Sequence, residues 1–167
     1  STKQEQQELL NIVIVGGGAT GIEVAGILSE MKKFVLPNDY PDMPSSLMHI
    51  YLIEAGPRLL AGMSEESSAH AEQFLREMGV NILLNKRVVD YRDHKVVLED
   101  GTEIATRTFI WVSGVTGVTI GNLDASLIGR GGRIKVDSFN RVEGMNNVFA
   151  IGDQCIQLAD ENYPNGH

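Results

Sequence analysis

A chain of 167 residues is long enough to bury a sizeable core, and hydrophobic and charged fractions of 43% and 22% are those of an ordinary globular protein. A net charge of −8 argues against nucleic acid or an anionic membrane as a direct partner, since both need a basic face. The single cysteine, Cys155, excludes an internal disulfide or a C-x-x-C pair, and His49, His70, His94 and His167 lack ligand spacing, so no metal site is expected. No apolar run approaches the roughly 18 residues of a membrane span and no signal peptide opens the chain, so the expectation is a cytoplasmic segment without direct membrane contact.

In chain order, residues 1–10 are polar and rich in Gln and Glu, which suits a linker or a frayed helix end. Residues 12–15, IVIV, have the composition of a strand buried on both faces of a parallel sheet. The loop Gly16-Gly17-Gly18-Ala19-Thr20-Gly21 then supplies G-x-G-x-x-G spacing. Gly16 is expected to make the tight turn, Gly18 to let the backbone approach a pyrophosphate, and Gly21 to bring the next helix close to the strand. The phosphates would sit on that helix's N-terminus, where free N–H groups and the dipole favour an anion without a basic side chain. The helix is read as residues 22–33 with Ile22, Ala25, Gly26, Ile27 and Leu28 inward. Glu23, placed in its first turn, has two readings: a carboxylate favoured by the dipole, or a group reaching toward the nicotinamide end of a ligand.

Residues 34–47 hold Pro37, Pro41 and Pro44, which speaks against a helix running through. A second strand over residues 48–53 ends in Glu54, where a dinucleotide domain places the acid that accepts hydrogen bonds from the adenosine ribose. The proline segment accounts for Glu54 lying further past the loop than the usual spacing of about 20 residues. A carboxylate there repels a 2′-phosphate, so NADH is expected over NADPH. Arg58 is either a second group at the ribose end or a solvated surface arginine.

Ser64 reads as the N-cap of a helix with Ala71, Phe74, Leu75 and Met78 on its apolar face and Gly79 at its end. A third strand follows over residues 80–84. Short strands over 87–91, 95–98 and 103–105, with turns at Asp93-His94 and Asp100-Gly101, read as an antiparallel meander on one face of the parallel sheet. Residues 108–112, TFIWV, read as a buried run that returns to that sheet. Gly114 then lies at a strand's carboxyl end, either a glycine that lets a ring approach the backbone or a plain turn glycine. The run Gly129-Arg130-Gly131-Gly132-Arg133 reads as a flexible solvated loop, with phosphate or RNA contact as the other reading. Residues 134–136 and 147–151 are read as the last strands, the second ending in Gly152-Asp153. The tail, 154–167, shows no clear period.

Four segments in this order, VGGGATGIEVAGIL, IEAGPRLL, TFIWVSGV and NNVFAIGDQC, resemble the two-dinucleotide flavoprotein reductases of the pyridine nucleotide-disulfide oxidoreductase superfamily. Within it the proline segment and Trp111 look most like type II NADH dehydrogenases. The resemblance implies an α/β fold: a Rossmann-like parallel sheet with helices on one face and the meander on the other. It implies NADH at Gly16, Gly17, Gly18, Ala19, Thr20, Gly21 and Glu54, with Gly114 near the nicotinamide nucleotide. It also implies FAD, contacted through Gly152 and Asp153, with electrons passing from NADH to flavin and on to an acceptor such as quinone. No first glycine motif precedes Gly16, so the chain is expected to be an NADH-binding domain, residues 11–145, with a return segment, residues 146–167, to an FAD domain of the parent, itself peripheral on the cytoplasmic face of the inner membrane. The alternatives are the nucleotide-binding domain of another flavoprotein disulfide or dioxygenase-ferredoxin type reductase, a self-standing dehydrogenase, or a non-catalytic nucleotide-binding module. A self-standing dehydrogenase would need a placed acid or base such as Tyr-x-x-x-Lys, which the sequence lacks.

Overall fold

The β-branched run IVIV does form a strand buried along its whole length, whereas TFIW, expected as a buried run, joins the same parallel sheet with its ends exposed. A computed structural model describes residues 3–118 and 120–157 of the chain. Helices α1 (Lys3–Leu10), α2 (Ala19–Glu30), α3 (Leu36–Asp39) and α4 (Glu65–Glu77) are interleaved with strands β1 (Asn11–Val15) and β2 (His49–Ile53), and strands β3 (Val80–Leu83), β4 (Val88–Arg92), β5 (Lys95–Leu98), β6 (Glu103–Ala105) and β7 (Thr108–Trp111) then follow without a helix between them. The parallel sheet has the order β3-β2-β1-β7, and β4-β5-β6 form a separate antiparallel sheet.

Successive residues of a strand point to opposite faces, and the two cores follow that rule. Ile12 and Ile14 of β1, Ile50 and Leu52 of β2 and Val80 and Ile82 of β3 pack with Ala25 of α2 and Leu75 of α4. Val13 and Val15 of β1 and Ile53 of β2 pack instead with Val96 and Leu98 of β5 and Ile104 of β6. Helices therefore cover one face and the meander the other, as the sequence predicts. The meander's turns use the conformations their residues permit: Asp93 and His94 have φ of 49° and 58°, and Gly101 has φ 84°.

Contacts divide the chain into two units, residues 1–113 and 114–167. In the first, residues 3–10, expected as a linker or frayed helix end, form α1. Its buried Glu8 accepts from Arg107 Nε at 3.2 Å, and the Glu8 carbonyl accepts the Arg107 amide at 2.8 Å. Among the described residues of the second, strands β8 (Ile134–Val136) and β9 (Cys155–Gln157) pair in parallel over a small core of Ile134, Val136, Val142 and Ala150.

Several expectations need correction. The helix expected to stop before the prolines continues through a π-helical turn, Met31–Val35, into α3. Pro37 is the second residue of α3, and the backbone stays helical from α2 through that turn to it. Ile27 and Phe74, placed on inward faces, are 64% and 59% exposed. On α2 the buried stripe is Gly21, Ala25 and Ser29, small residues that let the helix lie close to the sheet. On α4, Ser68 and Leu75 are the buried positions, between the expected cap Ser64, which accepts the Ser67 amide at 3.1 Å, and Gly79 at φ 86°. Residues 147–151 make an isolated bridge between Phe149 and Arg141 rather than a strand: the Val148 carbonyl accepts the Val142 amide at 2.9 Å and the buried Ala150 donates its amide to the Asn140 carbonyl at 3.0 Å, while Phe149 and Ile151 stay exposed. The strand beside β8 is β9, in the segment that showed no period; the remainder of that segment, residues 158–167, lies outside the described residues.

Candidate nucleotide-binding site

The glycine loop leaves the carboxyl end of β1. It stands where the strand order turns back, with β2 and β3 on one side of β1 and β7 on the other. In open α/β sheets that reversal opens a crevice beyond the strand ends. Gly16 sits at φ 118°, and a Cβ there would come within 2.9 Å of the Val112 and Ser113 backbone, so this position requires glycine twice over. Gly21 is equally constrained: its Cβ would lie 1.8 Å from the Gly16 carbonyl oxygen. Gly18 differs from both. It has φ −77° and ψ −176°, and a Cβ there would meet nothing within 4 Å. Neither packing nor backbone strain explains a glycine at 18, whereas close approach of a ligand would use that open space.

Gly18 is also the N-cap of α2, and no side chain caps that helix. The first turn, from Ala19 and Thr20, therefore opens with uncapped backbone amides and the positive end of the dipole, an arrangement suited to an anion.

Glu54 follows β2 directly. Its Oε2 accepts the Gly17 amide at 2.6 Å and its Oε1 accepts the Gly56 amide at 2.7 Å. The acid predicted at the ribose position thus stands against the glycine loop in space. Sequence reasoning missed three neighbours. Gly56 is the second donor to the carboxylate, Leu59 is fully buried against the Gly17 position, and Leu60 donates its amide to the Gly17 carbonyl at 2.8 Å. The signal for Gly56 was its spacing two residues after an acid, which lets a carboxylate accept a nearby backbone amide, as side chains do in turns.

The other candidate residues lie further out. Arg58 donates to the carbonyls of Ala61 at 2.7 Å and Met63 at 3.0 Å, so its guanidinium closes the loop that follows Glu54. Glu23 is exposed and lies in the second turn of α2, because the helix begins at Ala19; the expectation of a first-turn acid is corrected, and dipole effects fade beyond that turn. Gly114 opens the second unit with φ 85° and open space where a Cβ would stand. Gly152 (φ 67°) and the exposed Asp153 belong to a 3-10 turn, Gly152–Gln154, in which the Asp153 carbonyl accepts from Arg133 Nε at 3.0 Å. The glycine–arginine run expected as a flexible solvated loop is a folded turn, with the Gly131 carbonyl accepting the Gly117 amide at 2.8 Å.

Together, the sheet order, the covering layers and the loop define a Rossmann-type α/β fold with a glycine-loop cradle at its switch point. The family model described as pyridine nucleotide-disulphide oxidoreductase matches residues 1–166, and the chain belongs to that family. A type II NADH:quinone oxidoreductase of Haemophilus influenzae is 33% identical over 161 residues, covering 96% of this chain and 36% of the relative. A type II NADH:quinone oxidoreductase of Mycobacterium tuberculosis is 32% identical, covering 89% of this chain and 34% of the relative. The solved structure of NDH2 from Plasmodium falciparum in complex with NADH superposes with a TM-score of 0.82 at 26% identity, covering 94% of this chain and 34% of that one. The chain therefore spans about a third of the length of these relatives. Among the described residues no helix is long and apolar enough to cross a membrane.

Proposed function

We propose that this chain is the NADH-binding part of an FAD-dependent NADH dehydrogenase. The amides of Gly18 and the first turn of α2 hold the pyrophosphate, and the open face of Gly18 lets it come close. Gly21 keeps α2 packed on the loop, and Arg58 holds the following loop in place. Glu54 accepts the adenosine ribose hydroxyls and repels a 2′-phosphate, which selects NADH over NADPH. Gly114 gives the nicotinamide end room, and Glu23 stands outside the first contacts.

The observation that carries this reading is the Glu54 carboxylate held 2.6 Å from the Gly17 amide, which puts a ribose acceptor and a phosphate cradle in one place. Its support from likeness is the NADH-bound neighbour and the names of the relatives. In the reaction these imply, hydride passes from nicotinamide to flavin and electrons go on to a quinone, and the cofactors supply that chemistry. The proposal assigns residues 11–145 to NADH and residues 146–167, with Gly152 and Asp153, to the FAD side of the parent enzyme. It places that enzyme peripherally on the cytoplasmic face of the inner membrane.

Calorimetric titration of NADH into the wild-type chain and Glu54→Ala tests the assignment. Lost hydrogen bonds to a charged acceptor should weaken binding by about 1.5–3 kcal/mol. An unchanged dissociation constant removes Glu54 from the site.

A further inference from the structure

Three successive peptide groups of the glycine loop are pinned, all by one short segment, residues 53–60. The Gly16 amide donates to the Ile53 carbonyl at 2.9 Å, the Gly17 amide to Glu54 Oε2 at 2.6 Å, and the Gly17 carbonyl accepts the Leu60 amide at 2.8 Å. Of these the middle bond is the one made by a side chain. Its carboxylate is braced from behind by the Gly56 amide at 2.7 Å, and its Cβ and Cγ lie against the loop, 3.0 Å from where a Cβ on Gly17 would stand.

Resting on the reading of the site as NADH-binding, we propose that Glu54 is also a positioning residue: it clasps the glycine loop at Gly17 in the nucleotide-free chain and so sets the amides that follow, from Gly18 into the first turn of α2, before the pyrophosphate arrives. An ionised carboxylate offers about four acceptor sites. Two are used by Gly17 and Gly56, which leaves two for ribose hydroxyls, so the clasp persists when the nucleotide is bound. Preorganising a loop lowers the ordering cost of binding, which raises affinity without any added contact to the ligand. One side chain thus selects the ribose and shapes the phosphate cradle, and a substitution made to change the first also disturbs the second.

Glu54→Gln separates the roles. The amide keeps the size of the side chain but has a single acceptor oxygen, and its NH2 faces another N–H donor. In the nucleotide-free chain, amide shifts and hydrogen exchange of Gly17 and Gly56 are read by NMR. NADH and an analogue lacking both adenosine ribose hydroxyls are then titrated into wild type and variant. The clasp predicts that at least one of the two amides moves and exchanges about tenfold faster, and that affinity for the analogue also falls by roughly tenfold. If Glu54 serves the ribose alone, the variant binds the analogue as well as wild type does, and the proposal is overturned; unmoved Gly17 and Gly56 amides overturn it as well. Should wild type bind neither ligand, the NADH reading fails while the two amides still decide the clasp. Glu54→Asp, charged but one methylene too short to reach both amides, gives the same readout if the glutamine variant does not fold.

Discussion

The Gly17 amide and the Glu54 carboxylate lie 2.6 Å apart although 37 positions separate them in the chain. A hydrogen bond to a charged acceptor contributes more than a neutral one, about 1.5–3 kcal/mol. This one joins the loop after β1 to the end of β2, so the two parts of the candidate site are built as a unit.

The three motif glycines should separate in their effects. Gly21→Ala drives a Cβ to 1.8 Å from the Gly16 carbonyl oxygen, a backbone atom that cannot swing aside, so α2 must move off the loop. Urea unfolding should show a loss of about 3 kcal/mol. Gly18→Ala meets open space in an extended conformation any residue adopts, so stability should change by less than about 0.5 kcal/mol. The same substitution should weaken NADH binding by roughly tenfold, because its methyl fills the ligand's approach. Equal binding by Gly18→Ala and wild type would leave that glycine without a role.

Thr106 is fully buried, and its hydroxyl donates to the Asn11 carbonyl at 2.6 Å and accepts the Thr108 amide at 3.1 Å, where β7 begins beside β1. Thr106→Val keeps the shape and strands both partners. The expected loss is about 2 kcal/mol in unfolding free energy with unchanged NADH affinity. A loss under about 0.5 kcal/mol would mean that neither partner needs the hydroxyl.

In the meander, Lys95 Nζ and Glu103 Oε2 are 2.6 Å apart across β5 and β6. The hydrogen bond from Lys95, then its charge, lowers the Glu103 pKa below the ordinary 4.5, and the same bond raises that of Lys95 above 10.5. A depressed carboxyl contributes stability above its unfolded pKa and loses it as pH falls through the folded one. A raised ammonium contributes below its unfolded pKa and loses it as pH rises through the folded one. The pair should therefore protect β5 and β6 between those limits and release them at either extreme. Both groups meet solvent, so the effect should be small and should shrink in high salt. Hydrogen exchange of the Val96 and Ile104 amides in wild type and Lys95→Met, at pH 7 and near pH 3, would show it; an equal difference between the two proteins at both pH values would contradict it.

Much of this was legible in the chain. The IVIV run and the separate duties of Gly16 and Gly21 rest on local steric or burial rules, and β1 and the loop obey them; TFIWV does return to the sheet, but as its edge strand, with Trp111 55% exposed where a buried run was expected. What escaped the sequence depends on partners distant in it. Pro37, Pro41 and Pro44 signal a stop, yet the backbone runs on through a π-helical turn into α3 with Pro37 as its second residue. Ile27 and Phe74 satisfy helical spacing, yet the buried stripe of α2 is set by its smallest residues. Glu54 was found from its place after a strand, but its bonds to Gly17 and Gly56 follow from how two loops meet, which no spacing encodes.

The measurement that bears most directly on the function is a parallel titration of the chain with NADH and NADPH at equal salt, followed through the Gly16–Gly21 amides by NMR. Saturable shifts in that loop, with NADH bound about tenfold or more tightly than NADPH, are the predicted result. Equal affinity for the two nucleotides, or shifts that leave the loop and Glu54 untouched, would contradict the site assigned to this chain.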